Sequence, residues 1–411
     1  MIKSITLKNW KSFGEATLYV DPLTVLIGTN ASGKSNFLDA LVFLGELMRT
    51  GTVEGALNGG SGQQDAIRGG EGYIIRKGAT VTTIEVVIIN SEIFTYRYTI
   101  TLRKGTGNGL VIAEEAIFCT VGEKGEESLI FEREPYQEGK DKFAVLLPSN
   151  PKEDTGNLTV KPNGSIILSV LGSSLSEGFV SMVSVVMRDL NMLVLDPIPQ
   201  QMRGFKKMAY VLKGNASNLA GYLANLHPNV QGDVQNGIVN GLRNLPENEI
   251  LKVWAEPVGL LAKDAMLYCE ERWPGETVPL LVDSDGLSDG TLRLIAILTA
   301  LLTARRGSTL VIEEIDNGIH PSRAKLLVKL LREIGTERKV DIICTTHNPA
   351  LLDAFGLSML PFIALVYRDP ENGTSQIKNL DEIEHYERII TKGTLGDLIT
   401  KGRFESVLKA H

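Results

Sequence analysis

The sequence predicts an α/β fold: a mixed, mostly parallel sheet around a phosphate-binding loop, with a β-rich arm and an inserted helical lobe. Three observations predict it. Gly28-Thr29-Asn30-Ala31-Ser32-Gly33-Lys34-Ser35 fits G-x-x-x-x-G-K-[ST] and sits between a strand-like and a helix-like run. Short apolar runs at 23–27, 310–312 and 340–345 read as buried strands, and helical spacing separates the last two. Strands alternating with helices imply parallel pairing.

Residues 2–9 and 16–20 read as two strands ahead of the loop. After Lys34, the spacing of Leu38, Leu41, Leu44 and Met48 predicts a helix to about Met48. The glycine-rich, polar stretch 51–72 reads as a loop. From Thr82 to about Val170 the chain reads as β-rich, with a turn at Lys104-Gly105-Thr106-Gly107-Asn108-Gly109 and a polar loop over 137–158. From Ser176 to about Leu245 it reads as helical, broken at Asp196-Pro197-Ile198-Pro199, with Ser217 capping a helix over Asn218–Leu226. Beyond it, Leu292, Ile295, Thr299 and Leu302 mark one helix face, and Ala324, Leu327, Val328, Leu331 and Ile334 mark the next. The chain therefore divides into 1–175, with the phosphate loop and β-arm, a helical lobe over 176–250, and 251–411.

Composition narrows the class. Hydrophobic residues make up 43% and charged residues 22% of 411 positions, an ordinary globular balance. No apolar run has bilayer-spanning length, so no membrane partner is expected. The N-terminal Met1–Leu7 alternates like a strand and lacks a signal-peptide core. Cys119, Cys269 and Cys344 are odd in number and far apart, which suits a reducing cytoplasm. A net charge of −7 gives no global pull toward nucleic acid but leaves room for a local basic groove.

At the loop, backbone N–H groups and the following helix N-terminus make an anion site, formed by Asn30, Ala31, Ser32, Gly33, Lys34, Ser35 and Asn36. Lys34 reaches the β- and γ-phosphates of ATP, and Ser35 holds Mg²⁺. A second motif, Thr309-Leu310-Val311-Ile312-Glu313-Glu314, ends an apolar strand in two carboxylates. Such a pair places a metal-binding acid, here Glu313, beside a water-activating base, here Glu314. The usual metal acid is Asp, one methylene shorter; two acids at an exposed strand end are the alternative. A third motif, Leu287-Ser288-Asp289-Gly290-Thr291, opens a helix: Ser288 caps it and Gly290 lets a phosphate approach closely. The alternative is a capped helix alone. The fourth is His347, at the C-terminal edge of the strand at 340–345, where ligands bind in open α/β sheets and where it can sense a γ-phosphate; a structural His is the alternative.

Together these residues resemble ABC-type ATPases of the RecF and SMC branch. Leu287–Thr291 stands where that family has Leu-Ser-Gly-Gly-Gln, with Asp289 and Thr291 as departures. Lys8-Asn9-Trp10-Lys11-Ser12-Phe13 looks like the opening of such heads, in which a basic residue near Lys11 touches the nucleotide. Glu313–Pro321 and Thr346–Leu352 look most like stand-alone AAA family ATPases related to OLD-type defence proteins. The resemblance covers 1–50 and 280–355. It implies an ABC-ATPase head fold and an ATP-sandwiched homodimer in which the signature of one subunit binds the γ-phosphate held by the other. It places Asp316 in the dimer-facing loop and makes Gln63 or Gln64 a candidate for the family's glutamine loop.

Two functions follow as expectations. One is a defence ATPase controlling a partner effector, often a nuclease; residues 381–411 lack clustered nuclease carboxylates and read either as a docking segment or as the helical end of the domain. The other is a RecF-like repair ATPase that binds DNA, with Arg203, Lys206, Lys207 and Lys213 as a modest basic cluster. A transporter motor and a small-molecule kinase fit less well: the first needs a membrane partner, and the second lacks the signature and the His.

Overall fold

The structure, a computed structural model, describes residues 1–59, 67–106, 109–122, 125–147, 158–173, 175–243, 249–273, 275 and 277–408. Three strands open the chain: β1 (Ile2–Lys8), β2 (Glu15–Tyr19) and β3 (Leu23–Ile27). Two helices, α1 (Lys34–Thr50) and α2 (Val53–Asn58), follow the phosphate loop. The strands β4 (Val81–Ile89), β5 (Phe94–Lys104), β6 (Leu110–Val121), β7 (Glu127–Arg133), β8 (Phe143–Leu146) and β9 (Thr159–Val160) come next. They extend β2-β1 into one eight-stranded antiparallel sheet in the order β2-β1-β4-β5-β6-β7-β8-β9. The β-rich region is therefore continuous with the N-terminal hairpin. Its strands alternate as a half-buried sheet should: Ile84, Val86 and Ile88 of β4 are all buried, with half-exposed residues between them.

The middle of the chain carries α3 (Ile166–Leu171), α4 (Glu177–Leu190), β10 (Leu193–Leu195), α5 (Pro199–Met202), β11 (Lys206–Lys207), α6 (Leu219–Ala224) and α7 (Pro228–Leu242). A small antiparallel sheet follows: β12 (Glu249–Val258) and β14 (Leu280–Asp283) both pair with β13 (Asp264–Arg272), as does β11. The C-terminal part holds α8 (Asp289–Thr303), β15 (Thr309–Ile312), α9 (Ala324–Arg338), β16 (Asp341–Thr345), α10 (Pro349–Phe355), β17 (Ile363–Arg368) and β18 (Ser375–Asn379). Three short helices close it: α11 (Tyr386–Ile390), α12 (Leu395–Thr400) and α13 (Arg403–Leu408).

The second sheet has the order β10-β15-β16-β3-β17-β18. Its first five strands run parallel, and β18 runs antiparallel to β17, so the sheet is mixed. Its side chains feed two cores. Val25, Ile27, Leu310, Ile312, Ile342 and Cys344 join one cluster with α7, α8 and α9. Leu26, Val311, Ile343, Ala364 and Val366 join the other, with α1, α4 and the antiparallel sheet. Burial on both faces is why these strands read as unbroken apolar runs.

Several expectations change. Within 51–72, Val53–Asn58 is a helix whose N-cap Thr52 accepts the Gly55 N–H at 3.1 Å. Glycine richness hid that cap. Residues 143–146 within the supposed loop 137–158 pair with β7 and β9. Asn218, not Ser217, is the N-cap of α6. Leu193–Leu195, inside the segment read as helical, is an edge strand of the parallel sheet. Three residues are too few to show periodicity. Gln63, Gln64, Gly107 and Asn108 lie outside the described residues. Over 386–408 the chain forms packed helices: Ile389, Leu395, Leu398 and Phe404 are buried in the α8–α9 core.

Candidate functional site

Parallel register brings the motifs to one edge. Ile312 pairs with Cys344, which pairs with Val25. The chain therefore leaves β3 at Gly28, β15 at Glu313 and β16 at Thr346 side by side at the strands' C-terminal ends, where α/β sheets bind ligands.

The loop needs its glycines. Gly28 has φ 147°, and a Cβ there would lie 2.2 Å from the Val366 carbonyl oxygen. Gly33 has φ 122°, and its Cβ would lie 2.4 Å from Ser375 Oγ. Ser375 also donates to the Ser32 carbonyl, and Arg368 Nε donates to the Ala31 carbonyl at 3.1 Å, so β17 and β18 brace the loop. Asn30 and Ala31 are exposed at the loop's crest; Ser32 is buried, with no partner for its Oγ. Helix α1 starts at Lys34 with no acid in its first turn, which leaves its N-terminal N–H groups and dipole open to an anion. Lys34 Nζ folds back onto the carbonyls of Gly28 (2.6 Å) and Thr29 (3.2 Å). Burial lowers its pKa, while Glu314 and Glu313 oppose that shift.

Ser35 Oγ donates to Glu313 Oε1 at 3.1 Å, so the hydroxyl and the acid predicted to hold a metal are already in contact. Asn36 donates to Ser12 Oγ at 2.8 Å, and its carbonyl accepts from Trp10 Nε1 at 2.8 Å. Lys11, at φ 48°, is nearly buried and tied to Asp39 (2.6 Å) and to the Arg68 carbonyl (2.6 Å). Burial raises the Asp39 pKa; the hydrogen bond from Lys11 works against that rise.

Glu314 sits at φ 44°, a left-handed conformation that a residue with a Cβ adopts at a cost of about 1–3 kcal/mol. Two bonds hold it there: its N–H donates to Thr345 Oγ1 at 2.8 Å, and its carbonyl accepts from Arg293 at 3.2 Å. Such strain at a strand end beside a phosphate loop fits a base held in fixed aim. His347 is exposed just past β16. Asp316 is buried, and Thr346 Oγ1 donates to its carboxylate. Its side chain turns inward, away from solvent.

At the signature, Ser288 Oγ accepts the Thr291 N–H at 3.1 Å and caps α8 as its sequence predicts. Ser288 is exposed, whereas Gly290 is buried and a Cβ there would lie 2.7 Å from the Gly318 carbonyl oxygen. Arg203 clamps this segment: its guanidinium donates to the carbonyls of Ser284, Asp285 and Leu287 and pairs with Asp289. Arg203 is therefore engaged with the signature rather than offered to a nucleic acid, and burial lowers the pKa of its neighbour Lys206. The basic cluster read from the sequence loses its first member.

Three site residues escaped the sequence reading. Asp196 follows β10 and shares a cavity with the acid pair, and Arg293 reaches it at 3.4 Å. Burial raises the Asp196 pKa, and Arg293 opposes that rise. The signal was present: Leu193-Val194-Leu195-Asp196 repeats the apolar-strand-then-acid pattern of the motif ending at Glu313. Arg293 and Arg68 gave no local signal. Arg68 forms a fork on Glu313, with Nη1 at 3.0 Å from Oε1 and Nη2 on Oε2.

Ser35, Asp39, Asp196, Glu313 and Glu314 line a cavity of about 490 Å³. The donors are hydroxyl and carboxylate oxygens, the set a hard cation such as Mg²⁺ takes. Among the described residues no three His, Cys, Asp or Glu side chains converge on one point. Mg²⁺ is usually held by one or two carboxylates together with phosphates and water, and the residues present fit that arrangement.

The fold and site define a nucleoside-triphosphate-binding α/β domain of the phosphate-loop class. Two segments match family models. Residues 1–100 match "AAA ATPase domain" and residues 276–353 match "AAA domain, putative AbiEii toxin, Type IV TA system". The first contains the phosphate loop; the second contains the signature, the acid pair and His347. No curated protein matches the chain. Among solved structures it is similar to the SMC head domain from Thermotoga maritima, at 16% identity over 92% of this chain and 98% of that one, TM-score 0.44. It is also similar to an SmcHead bound to the C-winged helix domain of ScpA (13%, 93% and 99%, TM-score 0.49). A third is the Smc head domain with an extended coiled coil bound to the ScpA C-terminal domain, derived from Pyrococcus furiosus (12%, 95% and 99%, TM-score 0.42). No helix among the described residues is long and apolar enough to cross a membrane.

Proposed function

We propose that the protein binds and hydrolyses ATP with Mg²⁺ in a nucleotide-sandwiched homodimer and serves as a switch for a partner effector in antiphage defence. One observation carries the dimer: α8 presents a capped, exposed N-terminus at Ser288, separate from the phosphate loop. A helix N-terminus is an anion site, and a second one closing over the γ-phosphate completes its cage. Mg²⁺, when bound, neutralises phosphate charge. The chain's own residues do the rest. Lys34 counters the charge of the β- and γ-phosphates, Ser35 and Glu313 hold the ion, and Glu314 takes the proton of the attacking water. His347 faces the γ-phosphate from the strand end. The toxin–antitoxin description of the model matching 276–353 supports a defence role over a transport role.

The test is the oligomeric state of Glu314→Gln protein with and without ATP and Mg²⁺, read by light scattering. The reading expects an ATP-dependent dimer that Ser288→Arg abolishes while monomer ATP binding survives. A dimer persisting in Ser288→Arg removes the trans role. A pull-down of Glu314→Gln from its own host should then retain a stoichiometric effector protein.

A RecF-like, DNA-binding role is the second reading, and one observation favours it. A groove of about 1030 Å³ beside the loop is lined by Arg76, Lys77, Arg103, Lys104 and Arg368, with no carboxylate among the described residues of its wall. ATP's base and ribose are uncharged and need none of these cations. Steeply salt-dependent DNA binding would move the assignment to this role.

A further inference from the structure

We propose that Arg68 competes with the divalent ion for Glu313, so that the metal enters only when the guanidinium has another anion to turn to. The inference rests on the nucleotide-site reading above. Both Glu313 oxygens are engaged. Oε1 accepts from Arg68 Nη1 (3.0 Å) and from Ser35 Oγ (3.1 Å), and Oε2 accepts from Arg68 Nη2. These are the oxygens a metal held by Ser35 and Glu313 must use. A forked guanidinium–carboxylate pair is among the stronger charge-assisted contacts, so it does not yield for nothing.

The pair is asymmetric in a way that suits exchange. The Glu313 side chain is 11% exposed, but that of Arg68 is 51% exposed, so the guanidinium already has water on one side. Its backbone is fixed: Lys11 Nζ holds the Arg68 carbonyl at 2.6 Å and is itself paired with Asp39. The guanidinium's other ion pair, Nε to Asp39 Oδ1 at 3.7 Å, is the longer one, so the side chain can leave Glu313 without the backbone moving. A divalent ion on Glu313 would repel a guanidinium left beside it. A triphosphate on the adjoining loop supplies a new anionic partner, and the same displacement frees Glu313 for the ion. Metal binding and nucleotide binding would then be linked.

A purely structural ion pair makes the opposite prediction. Its removal loosens the site and weakens metal binding; removal of a competitor tightens it. The measurement is Mn²⁺ affinity of the full chain without nucleotide, from the electron paramagnetic resonance signal of free Mn²⁺. Arg68→Gln should bind Mn²⁺ about tenfold tighter than wild type, equivalent to about 1.4 kcal/mol. Arg68→Lys, which keeps the charge but loses the fork, should fall between. The difference should shrink when a non-hydrolysable ATP analogue is present. Unchanged or weaker Mn²⁺ binding in both variants, with wild-type melting, overturns the proposal. So does tight binding that survives in Arg68→Gln/Glu313→Gln, because the ion would then not be on Glu313. Fluorescent ATP-analogue binding to Lys34→Ala separates the two failures: wild-type affinity there sinks the nucleotide-site reading itself.

Discussion

Two helix N-termini in this chain carry the marks of phosphate sites, and they are finished differently. At α1 the approach is enclosed: Gly28 and Gly33 press against Val366 and Ser375, Ser375 and Arg368 brace the loop, and a lysine opens the helix. At α8 the first turn carries Asp289, Arg203 neutralises it, and Ser288 stays open to solvent. The first is a complete anion cradle within one chain. The second is a braced surface that needs an anion brought to it. The difference teaches that a helix N-terminus becomes a closed cradle only where the rest of the fold braces the loop before it.

The largest expected effect falls on the enclosed end. Lys34→Ala should weaken ATP binding about a hundredfold, since it removes the only charged donor in the loop. An ATP affinity within a few-fold of wild type, by equilibrium dialysis, would break the comparison at its base. Next, Gly33→Ala should destabilise the fold by about 1–3 kcal/mol, through its positive φ and the contact with Ser375. Gly290→Ala lacks the positive φ but meets the Gly318 carbonyl at 2.7 Å, and it should shift a denaturant midpoint by a similar or smaller amount. If both substitutions are silent, neither loop is closely packed.

Arg203→Ala tests the open end. Monomer ATP binding should stay within about twofold of wild type, while the ATP-driven dimer of the Glu314→Gln background weakens about tenfold. Equal loss in both would erase the distinction between cis and trans ends. The effect farthest from the nucleotide lies at the opposite end of the central strands, where Asp341 opens β16. Burial pushes the Asp341 carboxyl up to about 6, Asp21 and Asp189 add to the rise, and the N-terminal ammonium opposes it. A raised carboxyl pKa means the folded state holds the proton more tightly than the unfolded one. This contribution is therefore full below about pH 4 and lost as pH rises through about 6. Asp341→Asn should flatten that slope and gain about 1–3 kcal/mol at pH 7 in urea unfolding, with ATP binding unchanged. A change in ATP binding would mean the two ends of the strands are coupled.

How much of this was legible beforehand follows the reach of each signal. The phosphate loop, the Ser288 cap and the buried runs at β3, β15 and β16 are written in consecutive residues, and all three appear where their spacing put them. The helix at α2 was hidden by flanking glycines, and β10 by its three-residue length. Arg68 and Arg293 were invisible and Arg203 was read only as part of a basic cluster, because each acts on a segment 21 to 245 residues away. A lone arginine has no periodicity to betray it.

By itself, the sequence determined the buried strands β3, β15 and β16, the helix that follows the loop, and the cap at Ser288. Those choices are local: alternation, capping and glycine's conformational freedom act over a few residues. Only the tertiary structure decided that Glu313 meets Ser35 and Arg68, that Arg203 serves the signature, and that Asp316 turns inward. Parallel pairing set the meetings of Glu313 with Ser35 and of Asp316 with Thr346, since strands far apart in the chain share an end only once the sheet is assembled.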